Sequence, residues 1–210
     1  MAGGPFATGT SPFSITVDPT GKFAYVAGDT GISSSISAYT INAATGALTP
    51  MAGSPFGVGA RASTIAADPT GKFVYAADGF SSLYAYAVDP TTGALTAVAG
   101  NPFSTGTDFS TRSITFDPLG KFAYLGGAGG VDAYTINAIT GAPTLIAGSP
   151  FAGGQFVVVE PSGKLLYTNH VGGSTKINTY SINASTGNLT SAGSFEGYDQ
   201  SSSLAIIPIP

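Results

Sequence analysis

The chain has no cysteine, no tryptophan and a single histidine, His170. Without cysteine there can be no disulfide framework, thiolate nucleophile, zinc knuckle or iron–sulfur ligation. One histidine excludes a multi-histidine metal site, and a Ser-His-Asp arrangement would hang on His170 alone. Charge is scarce too: 7 Lys plus Arg and 11 Asp plus Glu in 210 residues, a formal net charge of −4. So few cations argue against nucleic acid, which is bound by neutralising phosphates. No apolar run approaches the roughly 20 residues of a membrane span. Met1-Ala2-Gly3-Gly4 shows neither the basic nor the apolar stretch of a signal peptide. At 43% apolar and 9% charged the composition is the opposite of a disordered chain. With 30 Gly, 13 Phe and 10 Tyr, it suits a Gly-rich β protein long enough to bury a core.

Internal repetition decides the reading. One turn recurs as Asp18-Pro19-Thr20-Gly21-Lys22, Asp68-Pro69-Thr70-Gly71-Lys72, Asp117-Pro118-Leu119-Gly120-Lys121 and Glu160-Pro161-Ser162-Gly163-Lys164. A second recurs between its copies: Asn42–Gly46, Asp89–Gly93, Asn137–Gly141 and Asn183–Gly187. A third marker is Pro-Phe at Pro5-Phe6, Pro55-Phe56, Pro102-Phe103 and Pro150-Phe151, with Ser194-Phe195 as a worn copy. The repeats run approximately over 3–52, 53–99, 100–147 and 148–193. Each holds four short runs rich in Tyr, Phe, Val, Ile and Thr; in the first they are Ser14–Val17, Phe23–Ala27, Ile36–Ile41 and Ala47–Ala52, strands A to D. Four strands in a period near 47 residues predict an all-β β-propeller of four-stranded antiparallel blades, in one domain or propeller segment spanning 1–210. Ser203–Ile209 matches strand A again and predicts one surplus C-terminal strand, 17 in all. The four Asp/Glu–Lys turns read as hairpin chemistry: the acid accepts from turn N–H groups, Pro presets φ and Gly takes the positive φ.

The pattern SITVDPTGKFAYVA…ISAYTINAATGALTPMAGSPF resembles the bacterial β-propeller lactonase family, which includes 6-phosphogluconolactonase-like proteins and is related to YVTN-type repeat propellers. The resemblance covers roughly Gly3 to Gly193 and implies a seven-bladed ring, of which this chain holds four full units. It also implies lactone hydrolysis by a His, Arg and acid cluster at one channel mouth. No residue here is matched to that cluster, so no catalytic role is carried over.

In an up-and-down blade the A–B and C–D turns share one end of the strands, and the B–C and D–A loops share the other. The first end is uniform here. The second varies: B–C loops Gly28–Ser35, Asp78–Ser82, Gly126–Gly130 and Asn169–Thr175, and D–A loops Ala7–Pro12, Gly57–Ala62, Ser104–Thr111 and Ala152–Gln155. Variable loops on a repeated scaffold are where recognition sits. The candidate site residues there are His170, Arg112 and Arg61, for a small anionic or sugar ligand, with the loop acids Asp29, Asp78 and Asp108. Arg112 stands just before strand A, where the first repeat has Phe13. The competing reading is solvated loop residues. No cofactor or metal motif is found; the D-x-[DN]-x-[DN]-G calcium loop is missing. Asn183-Ala184-Ser185 and Asn188-Leu189-Thr190 match the glycosylation pattern but belong to the repeated turn. Tyr25, Tyr75, Tyr124 and Tyr167 read as core.

Low charge and the surplus strand favour a non-enzymatic extracellular or cell-surface propeller. It would be a structural or interaction module that self-associates by strand pairing or binds another protein. The alternative is a lactonase-like hydrolase with its site at the channel mouth. A carbohydrate-binding propeller would need the loop aromatics Phe80, Phe109 and Tyr198 exposed.

Overall fold

A computed structural model describes residues 4, 6–9, 11–29, 34–59, 61–106, 111–169 and 176–196. The described residues form strands and turns only, and none of them forms a helix long and apolar enough to cross a membrane. The chain is all-β and has the β-propeller fold, with each repeat an antiparallel sheet. The first blade is β1 (Pro12–Val17), β2 (Phe23–Asp29), β3 (Ser34–Ile41), β4 (Leu48–Pro50) and β5 (Phe56–Val58). The second is β6 (Ala62–Ala67), β7 (Phe73–Asp78), β8 (Ser82–Val88), β9 (Leu95–Ala97) and β10 (Phe103–Ser104). The third is β11 (Ser113–Phe116), β12 (Phe122–Gly127), β13 (Gly130–Ile136) and β14 (Pro143–Leu145). The fourth is β15 (Phe156–Val159), β16 (Leu165–Asn169), β17 (Lys176–Ile182) and β18 (Leu189–Glu196). The chain divides into two compact units, Met1–Phe103 and Ser104–Pro210. The expected surplus strand, 203–209, lies outside the described residues, which hold 18 strands where four repeats of four predicted 16.

The added strands come from strand D. Expected as one run over Ala47–Ala52, it ends at Pro50 and resumes at Phe56, and both β4 and β5 pair with β3. Proline has no N–H for the ladder, so a strand cannot pass through Pro55 unbroken. The residue before it fills the gap: Ser54 Oγ accepts from Ala38 N at 2.9 Å, Asn101 Oδ1 from Ala85 N at 2.9 Å, and Ser149 Oγ from Ala133 N at 3.1 Å. Each of these three X–Pro bonds is cis. The fourth repeat has Ser194-Phe195 instead, and there β18 runs unbroken along β17, with only a register shift at Thr179/Tyr180.

The repeated turns work as the sequence predicts. Asp18 Oδ1 accepts from Lys22 N at 2.8 Å and Phe23 N at 2.7 Å, and Oδ2 accepts from Thr20 N at 2.9 Å and from the Thr20 hydroxyl. Asp68, Asp117 and Glu160 repeat the arrangement. In the second turn Asn42, Asp89, Asn137 and Asn183 each accept from the N–H groups two and three residues on.

The same turns also join blades within each unit. In the first unit the Tyr25 hydroxyl donates to Gly93 O at 2.8 Å, in the C–D turn of the next blade. Ile65 N and Ala67 N, on the open edge of β6, donate to Ser14 Oγ at 3.2 Å and Thr16 Oγ1 at 3.0 Å. The second unit repeats the set: Tyr124 to Gly187 O at 2.9 Å, Val157 N to Ser113 Oγ at 2.8 Å, and Val159 N to Thr115 Oγ1 at 3.4 Å. A blade therefore presents two hydroxyls and a tyrosine, and its successor presents two N–H groups and a glycine carbonyl. Around these bonds lie the two cores. Phe23, Tyr25, Ile36 and Met51 pack with Ile65, Val74 and Tyr86 in the first unit; Phe122, Tyr124 and Ile146 pack with Val157, Leu166 and Tyr180 in the second. Each such side chain taken from water contributes about 1.5–3 kcal/mol.

Candidate functional site

The variable end of each sheet is where strand A begins. Register places Phe13, Ser63, Arg112 and Gln155 at one position on the four A strands, since Ile15, Ile65, Ile114 and Val157 pair with Val26, Ala76, Leu125 and Thr168. The B–C loops are shorter than expected there: β2 runs through Asp29 and β12 through Gly127, leaving only Ala128-Gly129 before β13.

In the first unit, Arg61 is exposed and its guanidinium lies 5.5 Å over the Phe80 ring, a cation–π contact. Arg61 has φ +59°, a region that non-glycine residues seldom occupy. The equivalent Ser11 has φ +48°. Both carbonyls accept from the end of strand B, Ser11 O from Asp29 N at 3.2 Å and Arg61 O from Gly79 N at 2.9 Å. The conformation is thus a property of the repeat rather than of a ligand clamp. Asp78 is committed to its own hairpin: Oδ1 accepts from Phe80, Ser81 and Ser82 N at 2.8–3.0 Å. Asp29 Oδ1 accepts from the Ser34 hydroxyl at 3.2 Å.

The second unit offers more. Arg112 is exposed, and its N–H donates to Gly126 O at 2.9 Å, which fixes the start of β11. Next to it the Ser113 hydroxyl donates to Gln155 O at 3.1 Å while accepting from Val157 N. Gln155 is 8% exposed, and its Oε1 has no hydrogen-bond partner among the described residues. A buried, unpaired amide oxygen costs roughly 1–3 kcal/mol. The close approach of the two A strands needs a glycine alongside: a Cβ on Gly126 would lie 2.5 Å from Gln155 O. Asp132, wholly buried on β13, accepts from Gly106 N at 2.9 Å and so anchors the start of the longest D–A loop. Sequence reasoning missed Gln155 and Asp132. The signal for Gln155 was its alignment with Arg112. That for Asp132 was its place on strand C, where the first repeat has Ser37, whose hydroxyl likewise holds Gly9 N.

Of the residues expected at this end, His170, Asp108, Phe109 and Tyr198 lie outside the described residues. Arg61 belongs to the first unit and Arg112 to the second; neither unit's described residues bring two of the three candidates His170, Arg112 and Arg61 together. Among the described residues no group of three His, Asp or Glu side chains could hold a metal ion. Phe80 is exposed, and the Arg61 guanidinium lies over its ring. Tyr25, Tyr75 and Tyr124 are fully buried, whereas Tyr167 is half-buried.

A family model described as "Lactonase, 7-bladed beta-propeller" matches residues 4–160. No curated protein matches the chain. Among solved structures, a candidate 6-phosphogluconolactonase from Bacteroides fragilis matches with a TM-score of 0.79 at 19% identity, over 94% of this chain and 58% of that one. One from Bacteroides uniformis matches with a TM-score of 0.76 at 19% identity, over 89% and 55%. A functionally unknown protein from Desulfotomaculum acetoxidans gives 0.73 at 19% identity, over 90% and 57%. At that identity these likenesses establish the fold, and the chain spans between 55% and 58% of the length of these structures. The family match corrects the expectation of a non-enzymatic structural module. That expectation rested on low surface charge and a generic repeat, and neither property distinguishes a scaffold from an enzyme whose few functional groups sit on loops.

Proposed function

The chain belongs to the seven-bladed β-propeller Lactonase family, and from this membership we propose that it serves the hydrolysis of a lactone, of the 6-phosphogluconolactone type. The family match over residues 4–160 is the observation that carries the reading. In the reaction water adds to the ester carbonyl carbon, the ring C–O bond breaks, and a hydroxy acid leaves. Negative charge develops on the carbonyl oxygen, and a cation or N–H donor aimed at it lowers the barrier.

We assign the substrate to the variable end of the second unit. Arg112 is the exposed cation there and suits either the developing oxyanion or an anionic substituent. Gln155, with its unpaired oxygen, suits a sugar hydroxyl. His170, the chain's one imidazole, is the general base by residue type. The test is a potentiometric assay of glucono-δ-lactone and its 6-phosphate against their spontaneous hydrolysis. Hydrolysis above background is expected, with a preference for the phosphate ester. Arg112→Ala and His170→Ala should each lower it about 10²-fold or more. A wild-type chain no faster than buffer would refute the reading; full activity in both variants would refute the site.

A further inference from the structure

The uniform end of the second unit holds a cleft that the reaction proposed above does not use. Three of the four repeated A–B turns cap their acid with a hydroxyl two residues on: Thr20 donates to Asp18 Oδ2, Thr70 to Asp68 Oδ2 and Ser162 to Glu160 Oε1. The third turn has Leu119 at that position, which has no hydroxyl to give. Asp117 accepts from Leu119 N at 3.1 Å and Phe122 N at 2.6 Å, and from no hydroxyl among the described residues. A carboxylate offers about four acceptor positions on its two oxygens. The Asp18 carboxylate receives four bonds, from Thr20 N, the Thr20 hydroxyl, Lys22 N and Phe23 N, where that of Asp117 receives two.

Asp117 lines a cleft of about 300 Å³ between the third and fourth blades, and every residue of its lining lies in the second unit. The apolar lining is Pro118, Leu119, Phe122, Ile182 and Ala184. That is the size and character of a small-molecule site. Two differences between repeats set it apart. Leu119 stands where the other turns have Thr20, Thr70 and Ser162, and it is 66% exposed. Ala184, in the fourth C–D turn, stands where the second blade has the bulkier Pro90. Ser162 also lines the cleft, but its hydroxyl is engaged by Glu160. The charged residues of the lining are Asp117 and Lys121, one of each sign, so no net charge selects an ion. The missing partner is a hydroxyl donor carried on an apolar body.

We propose that this cleft binds a small neutral molecule with one hydroxyl on an apolar body, an alcohol or a phenol. The hydroxyl donates to Asp117 Oδ2, in the place that Thr20 and Thr70 fill in their own turns. The apolar body lies against Pro118, Leu119 and Ile182. A hydroxyl bonded to a carboxylate is charge-assisted and belongs to the stronger kind of hydrogen bond. The site is at the opposite end of the strands from Arg112 and Gln155. It does not rest on the reaction proposed above and is read without any activity measurement.

The test is a titration of the 210-residue chain with phenol, followed through the backbone amide signals of Leu119, Phe122, Gly163 and Ala184 by nuclear magnetic resonance. Saturable shifts at these residues are expected, with millimolar affinity. Toluene has the same ring without the hydroxyl and should bind about tenfold more weakly, or worse. Leu119→Thr supplies the hydroxyl that the other turns have and should abolish the phenol shifts. Leu119→Val has the same shape without the hydroxyl and should keep them. The junction of the first and second blades, where Thr20 already serves Asp18, is the internal control: Thr20, Phe23 and Gly71 should not move. No saturable shift with phenol overturns the proposal, and so does toluene binding as tightly as phenol. Equal binding to Leu119→Thr and Leu119→Val overturns it too, as do equal shifts at both junctions, since either result would mean a cleft with no acceptor awaiting a donor.

Discussion

Three glycines of the repeated A–B turn form a natural test of how blades meet. Gly21, Gly71 and Gly163 have nearly the same backbone, with φ of +70°, +72° and +74°. They differ in what a Cβ would touch. At Gly21 nothing lies within 4 Å; at Gly71, Pro19 Cγ would be 3.4 Å away; at Gly163, Pro118 Cδ would be 2.8 Å away. Alanine at any of the three must adopt the left-handed conformation, at about 1–2 kcal/mol. Gly21→Ala should cost that and no more. At 3.4 Å Gly71→Ala meets a contact at the edge of ordinary van der Waals range, so it should be only slightly worse. Gly163→Ala forces a proline ring, held by its own hairpin, to move by several tenths of an ångström, and overpacking of that kind adds about 1–3 kcal/mol. Chemical denaturation followed by circular dichroism and tyrosine fluorescence reads the three losses. The expected order is Gly21 below or equal to Gly71, and both below Gly163. Equal losses at Gly21 and Gly163 would mean that the turn glycine serves only its own hairpin, and the account of the turn as an inter-blade contact would fail.

Tyr25→Phe removes a buried 2.8 Å bond and leaves the Gly93 carbonyl unpaired, so it should cost about 1–2 kcal/mol in denaturation, against little for Tyr167→Phe. Asp68→Ala strips a buried Phe73 N–H of its acceptor and should cost about 2–3 kcal/mol, clearly more than Glu160→Ala at the exposed copy of the same turn. For Asp18, burial pushes the carboxyl pKa up, but the bonds from Thr20, Phe23 and Lys22 outweigh it and hold the pKa below its ordinary 3.8. A depressed pKa contributes stability that is present above the ordinary value and lost as pH falls through the lowered one. Denaturation midpoints should therefore hold down to about pH 4 and then fall, less steeply in Asp18→Asn. Burial, with Asp18, Asp68 and Asp117 adding to it, pushes the Tyr25, Tyr75 and Tyr124 phenols above the usual range. Stability should therefore fall as pH rises beyond about 10, and ultraviolet titration should show these tyrosines ionising only as the chain unfolds.

The fold was legible because its markers are local. Asp-Pro-Thr-Gly-Lys closes a hairpin through bonds within five residues of the acid, so the motif and the turn are the same object. The interruption of strand D was not read: Pro55, Pro102 and Pro150 served only as repeat markers, and the resumption of the strand after each was missed. What Tyr25 and Ser14 do for the next blade was not legible. Those bonds span 68 and 51 residues, and no spacing within a repeat points to them. The same limit applies to the candidate site. Arg112 stands out as a rare cation in a poorly charged chain. Gln155 does not: its significance is that a buried oxygen goes unpaired, a fact of packing rather than of residue type.

The repeats also differ in what they present to a neighbouring blade. Ser14 and Thr16 are hydroxyl residues because the edge of β6 needs two acceptors, and Ser113 and Thr115 serve β15 in the same way. At the equivalent positions the fourth blade has Phe156 and Val158, both half-buried. Were those positions merely solvent-exposed, polar residues would be the economical choice, since exposed apolar surface invites association. The same reasoning applies to Phe13, Ile15 and Val17, three apolar side chains on one face of one strand. Apolar side chains on both sides of the repeated contact are the physical argument that blade faces of this type are built to be buried against another blade.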